Sequence, residues 1–247
     1  MATIFFVILS TVLVSLLSLI GVFTLAFKEK ILYSIVNFLV NLSIGVLLGV
    51  AFLDLIPEAI KKYESQNILF YVVVGFFIFF LIEKIFHWRH CHEESCQIHT
   101  FAYINLLGDA VHNFTDGLII GASFFVDYHL GVATVFAVIM HEIPNEIGNF
   151  GILLYAGFKK TKALLFNFMT AITAVIGGIL GFYLSSYINN FVVFLLPFAA
   201  GGFIYIAASD LIPETRKETN IVKSLFNFFI ALTGFLLIYF LLRIISE

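Results

Sequence analysis

Polar residues in this chain gather into short clusters, and the stretches between the clusters are apolar over about 20 residues or more. Breaking the sequence at those clusters gives eight runs, at about 2–27, 31–57, 68–86, 100–126, 130–158, 161–187, 191–213 and 221–245. A helix rises about 1.5 Å per residue, so about 20 apolar residues cross a hydrocarbon core of about 30 Å. Each run is therefore predicted to be a membrane-spanning helix. Barrel strands would alternate apolar and polar positions, and no such alternation is present. The expected fold is one all-α integral membrane domain of eight helices spanning residues 1–247.

Composition agrees with the pattern. Of 247 residues, 61% are hydrophobic and 12% charged, against roughly 45–50% and about 25% in soluble domains. One soluble body of this size cannot bury that much apolar surface, so the remainder faces lipid. A net charge of −3 with no basic run removes the electrostatic basis for binding nucleic acid. Cys91 and Cys96 are too few for a disulfide framework. No Lys or Arg precedes Lys28, so the charged start of a cleaved secretory signal is missing and 2–27 is expected to be a retained first span.

The few charges orient the chain. Ten of the 13 basic residues follow spans one, three, five and seven: Lys28, Lys30, Lys84, Arg89, Lys159, Lys160, Lys162, Arg216, Lys217 and Lys223. Lys61, Lys62 and Arg243 lie on the opposite face. The positive-inside rule makes the first face cytoplasmic and puts both termini outside a cell membrane. The segment Asp54-Leu-Ile-Pro57-Glu58 of span two recurs as Asp210-Leu-Ile-Pro213-Glu214 in span seven. Five spans separate the copies, so the two helices run in opposite directions. Either these are two similar helix ends stopped near proline, or spans one to three and six to eight form an inverted repeat of the transporter type. Asp54 and Asp210 then attract cations at the two mouths or terminate their helices.

Spans four and five hold the costly residues. Asp109, Asp116, Glu142 and Glu146 fall near mid-bilayer, where each ionised acid costs about 2.5–3.5 kcal/mol. Between residues 90 and 158 there is no Lys or Arg to pair with them. Protons, water or bound cations remain as partners, and divalent cations also account for the accompanying imidazoles of His112 and His141. His112 and Asp116 are four apart on one helical face with Asn113 beside them; His141 and Asn145, and Glu142 and Glu146, form two more such pairs. Pro144 deprives the Met140 carbonyl of its helical partner, which is expected to bend the helix, open a cavity or offer an oxygen to an ion. Imidazole with carboxylate and amide suits zinc, iron(II) or manganese. The competing reading is that these groups are interhelical hydrogen-bonding glue, the class to which Asn105 and Thr115 belong. Gly45/Gly49, Gly117/Gly121 and Gly177/Gly181 are spaced for close helix packing.

His112-Asn-Phe-Thr-Asp116-Gly117 in span four and His141-Glu-Ile-Pro in span five resemble the signatures of the ZIP (Zrt/Irt-like protein) family of divalent-metal transporters. The eight-span layout, outward termini and a His-rich third loop extend the resemblance over the whole chain. It implies a 3+2+3 helix arrangement, a binuclear metal site between spans four and five, often a homodimer, and metal movement toward the cytoplasm. It implies a primary site of His112, Asp116, His141 and Asn145, and a second of Asn113, Glu142 and the shared Asp116, with Glu146 available to compensate at Asn145. The closest subgroup reads His-Glu-x-Pro-His-Glu, whereas this chain has Asn145 in place of the second His. Zinc is the expected cargo, with iron, manganese and cadmium as alternatives and no organic cofactor.

Residues 87–99 hold four His and both Cys and are expected to be a cytoplasmic loop, either a weak capture site for metal or an ordinary polar loop. Two other function classes compete with transport. An intramembrane zinc protease needs His-Glu-x-x-His, and the fifth position here is Asn145; a di-iron enzyme needs Glu-x-x-His, and none occurs. A metal sensor that does not transport is separated from a transporter by flux alone.

Overall fold

The computed structural model describes residues 2–24, 28–63, 67–88, 98–188, 191–216 and 218–245. Every regular element among them is helical. α1 is Ala2–Leu17, extended by a 3-10 turn at Ser18–Ile20 and by Gly21–Thr24. α2 is Glu29–Val50, continuing through a π-helical turn, Ala51–Leu55, into Ile56–Tyr63. α3 is Ile68–Trp88, α4 is Ile98–Val126 and α5 is Tyr128–Tyr155. α6 has two parts, Lys160–Ala171 and Thr173–Tyr187. α7 is Phe191–Tyr205, continuing through a second π-helical turn, Ile206–Leu211, into Ile212–Thr215; α8 is Ile221–Ile245.

Seven of these helices are long and apolar enough to cross a membrane, against eight expected spans. α4 is the one outside that group. Its 29 residues exceed the length needed, but Asp109, His112, Asn113 and Asp116 make its middle polar. The His- and Cys-rich loop expected at 87–99 lies outside the described residues apart from helical backbone at its ends, and the Asp210 and Glu214 side chains lie outside them as well.

Helix boundaries follow local chemistry. The Asp127 carboxylate accepts from the backbone N–H groups of His129 (2.8 Å) and Leu130 (3.2 Å), so this one residue ends α4 and caps α5. Gly157, at φ 85°, closes α5 with Phe158 N–H donating to Leu153 O at 3.1 Å. Both π-helical turns immediately precede the repeated Ile-Pro step. Proline has no N–H for the carbonyl four residues back, and the wider turn absorbs the mismatch. Ile56 N–H reaches Ala51 O, and Ile212 N–H reaches Ala207 O, in the same way.

The inner helices are α2, α4, α5 and α7, and the outer ones expose apolar faces, as with Phe70 on α3 (63% exposed) and Phe226 on α8 (64%). Such faces suit acyl chains rather than water. Glycines set the closest approaches. A Cβ on Gly117, Gly121, Gly177 or Gly181 would lie 2.0–2.2 Å from a backbone oxygen across the α4–α6 interface. Gly45 of α2 meets the Ala231 carbonyl of α8, and Gly201 of α7 meets the Val72 carbonyl of α3. Gly45 lies nine residues before Asp54, as Gly201 lies nine before Asp210.

Candidate metal centre

α4 and α5 lie side by side and bring four ligand atoms together, one each from His112, Asp116, His141 and Glu142, all within 4.8 Å of one another. The two imidazole Nε2 atoms are 3.3 Å apart. His112 Nε2 is 3.0 Å from Glu142 Oε1 and 3.8 Å from Asp116 Oδ2; His141 Nε2 is 2.9 Å from Asp116 Oδ2 and 3.6 Å from Glu142 Oε1. Ligands bound tetrahedrally at about 2.0–2.2 Å stand about 3.3–3.6 Å from one another, and the separations here, 2.9–3.8 Å, bracket that spacing. His141 Nδ1 is 3.0 Å from the Ala137 carbonyl. A proton held there leaves the Nε2 lone pair facing the cluster, as metal-binding imidazoles require.

Asp116, His141 and Glu142 are buried and His112 is partly exposed. Glu142 Oε2 and Asp116 Oδ1 are buried without a hydrogen-bond donor. Burying carboxylate oxygens without donors is costly, and a cation removes that cost. No Lys or Arg exists in α4 or α5 to act instead. These acids therefore differ from simple glue, whose polar atoms would satisfy one another.

The other expected site residues stand next to these four. The Asn145 amide nitrogen lies 3.3 Å from Glu142 Oε1 and 3.4 Å from Asp109 Oδ1. Asn113 donates to the Asp109 backbone oxygen at 3.2 Å, and its own Oδ1 is buried with no donor. Glu146 Oε2 accepts from Asn167 Nδ2 of α6 at 2.5 Å, while Oε1 is unpartnered. Glu142, assigned by resemblance to a second site, thus sits in the same cluster as both imidazoles.

The Met140 carbonyl released by Pro144 lies 2.6 Å from the Ser43 hydroxyl of α2, and Pro144 itself lines the cavity beside the cluster. α5 runs through Pro144 as one helix. Asn167 and Thr170 were not singled out in the sequence, although two polar residues three apart in the otherwise apolar stretch 163–172 face the same side and signal a buried partner.

A cavity of about 550 Å³ leads to the cluster from one end of the bundle, lined by His112, His141, Asn145, Gly148, Asn149 and Glu83 among others. The Tyr205 hydroxyl donates to Glu83 across its wall. A second cavity of about 610 Å³ opens at the other end, lined by Asp54, Glu58, Lys61, Asp127, His129 and Arg243, and reaches none of the cluster residues. The buried apolar side chains of Leu47, Val50, Ile120, Val138 and Phe203 belong to the continuous core, and Phe203 lies against the His141 ring.

Residues 3–93 and 88–242 match the family model described as ZIP Zinc transporter. The chain is 40% identical over 154 residues to a Caenorhabditis elegans protein named Zinc transporter zipt-7.2, covering 60% of this chain and 32% of that one. It is 33% identical over 204 residues to Zinc transporter ZIP13 of Pongo abelii (76% and 61% covered) and 30% identical over 248 residues to the ZIP13 of Mus musculus (82% and 69% covered). The chain thus spans about a third to two thirds of the length of the first two relatives. A family model that matches nearly the whole chain, on an all-helical apolar fold, places this multi-pass membrane protein in the ZIP zinc transporter family.

Proposed function

We propose that this protein carries divalent transition-metal cations, zinc foremost and iron, manganese or cadmium alternatively, from outside into the cytoplasm of the cell by alternating access around a midplane site on α4 and α5. The observation that supports this most is the cluster of His112, Asp116, His141 and Glu142, three of its four residues buried, with both imidazoles lining the first cavity. In this reading those four residues hold the ion, and Asn113, Asn145 and Glu146 complete or extend the site. A cation there offsets the roughly 2.5–3.5 kcal/mol that each mid-bilayer acid costs.

By the distribution of basic residues, the end at which the cavity opens is cytoplasmic, so the conformation described is inward-facing. The repeated Asp-Leu-Ile-Pro-Glu segments with their matched π-helical turns, and the matched approaches of Gly45 and Gly201, support an inverted repeat of α1–α3 and α6–α8 around α4 and α5. Eight spans, both termini outside and, as the resemblance implies, a homodimer complete the picture.

Flux of zinc into sealed liposomes containing only this protein tests the proposal. His112→Ala or Asp116→Ala should abolish uptake while the purified variant remains folded. Unchanged uptake overturns the site, and absence of uptake by the unsubstituted protein overturns transport itself.

A further inference from the structure

Asp109 is 6% exposed, has no basic partner in α4 or α5, and is not one of the four clustered ligands. Donors from three helices converge on it. The amide nitrogens of Asn149, Asn113 and Asn145 lie 2.6, 3.3 and 3.4 Å from Oδ1, and the Thr170 hydroxyl of α6 donates to Oδ2 at 2.5 Å. An ionised carboxylate accepts only, whereas a side-chain amide has a donating and an accepting end and otherwise turns either way. Asp109 therefore selects one orientation: amide nitrogens toward itself, amide oxygens away. The consequence is visible at Asn113, whose nitrogen is committed to Asp109 and whose Oδ1 is buried with no donor beside the His112 and Asp116 turn.

We propose that Asp109 is the positioning residue of the metal centre, orienting the Asn113 amide so that its oxygen, not its nitrogen, is presented to a divalent cation. The inference rests on the metal-centre reading above and deepens it. Without the anion the amide of Asn113 can flip and offer an N–H pair, which repels a cation. The Thr170 hydroxyl fixes the carboxylate plane, so α6 takes part in setting the ligands without touching the ion.

The test is zinc binding by the detergent-solubilised full chain, measured by competition with a chromogenic chelator. Asp109→Asn should weaken zinc binding about tenfold or more, the range seen when partners behind metal ligands are lost. In an Asn113→Ala background the same substitution should change affinity less than about twofold, because the amide it orients is gone. Equal losses in the two backgrounds would mean that Asp109 is merely structural and would overturn the inference. The exchanged pair Asp109→Asn with Asn113→Asp provides a second arm. A carboxylate at 113 presents an oxygen whichever way it turns, and the new amide at 109 donates to it, so binding should recover to within about threefold of the unsubstituted chain. Failure of the exchanged pair to fold, or to bind better than Asp109→Asn alone, also overturns the inference. If the unsubstituted protein binds no zinc, the metal-centre reading fails first; if it binds and Asp109→Asn binds equally, only this inference fails.

Discussion

At position 145 stands an amide, and its nitrogen is turned onto Glu142 and Asp109. Imidazole is the better zinc ligand, while amide and carboxylate oxygens favour harder ions such as manganese. Asn145→His should therefore raise the zinc-to-manganese flux ratio by about tenfold in liposomes offered both ions. An unchanged ratio would mean that residue 145 does not face the ion. The four clustered ligands were legible in the sequence because their pairing is local: His112 with Asp116 one turn on, and the adjacent His141 and Glu142 on a second helix at the same depth. What was not legible is which way the Asn113 amide is turned. That is decided by Asp109, and Asp109 is itself fixed by Thr170, a residue whose distance from α4 depends on how α6 packs rather than on any spacing along the chain.

Among the elements, α5 shows how a helix tolerates a proline at mid-bilayer. Pro144 takes a donor from the Met140 carbonyl and the single hydroxyl proton of Ser43 on α2, shared between Met140 O at 2.6 Å and Leu39 O at 2.7 Å, returns one in part, so the cost is transferred to an interhelical contact. Ser43→Ala should lower stability by about 1–3 kcal/mol, seen as a lower Tm in detergent, because the carbonyl is left buried and unpaired. Adding Pro144→Ala should restore much of the loss, since an N–H at 144 can again reach Met140. If the double variant is no better than Ser43→Ala alone, the Ser43 hydroxyl serves some other contact. The sequence shows where Pro144 breaks the hydrogen-bond ladder but not what repairs it, because the repair comes from a residue 97 positions away. Glycine spacing was more informative, since the pairs four apart in α4 and α6 do meet backbone to backbone. Gly121→Val would place a Cβ 2.1 Å from the Gly178 carbonyl. Because the obstacle is backbone, α4 and α6 must separate, and the expected cost is about 3 kcal/mol or more, measured by thermal unfolding.

For the molecule as a whole, the two cavities are the strongest constraint, because only one of them reaches the metal centre. An open pore would connect both to the cluster; a transporter described in one conformation connects only one. The side proposed rests on charge, since ten of 13 basic residues follow spans one, three, five and seven in the sequence. Cysteine labelling decides both points together once Cys91 and Cys96 are replaced by Ser. Gly148 lines the connected cavity and has nothing within 4 Å of a Cβ, so Gly148→Cys fits without displacing a neighbour. Glu58 lines the other cavity. A membrane-impermeant thiol reagent should modify Gly148→Cys from the cytoplasmic face and Glu58→Cys from the outer face. Reversed labelling of the two would invert the orientation read from the charges. Labelling of Gly148→Cys from both faces would show the site changing access, provided that zinc shifts the ratio of the two rates. Equal labelling from both faces, unaffected by zinc, would instead describe a continuous pore, and alternating access would fall.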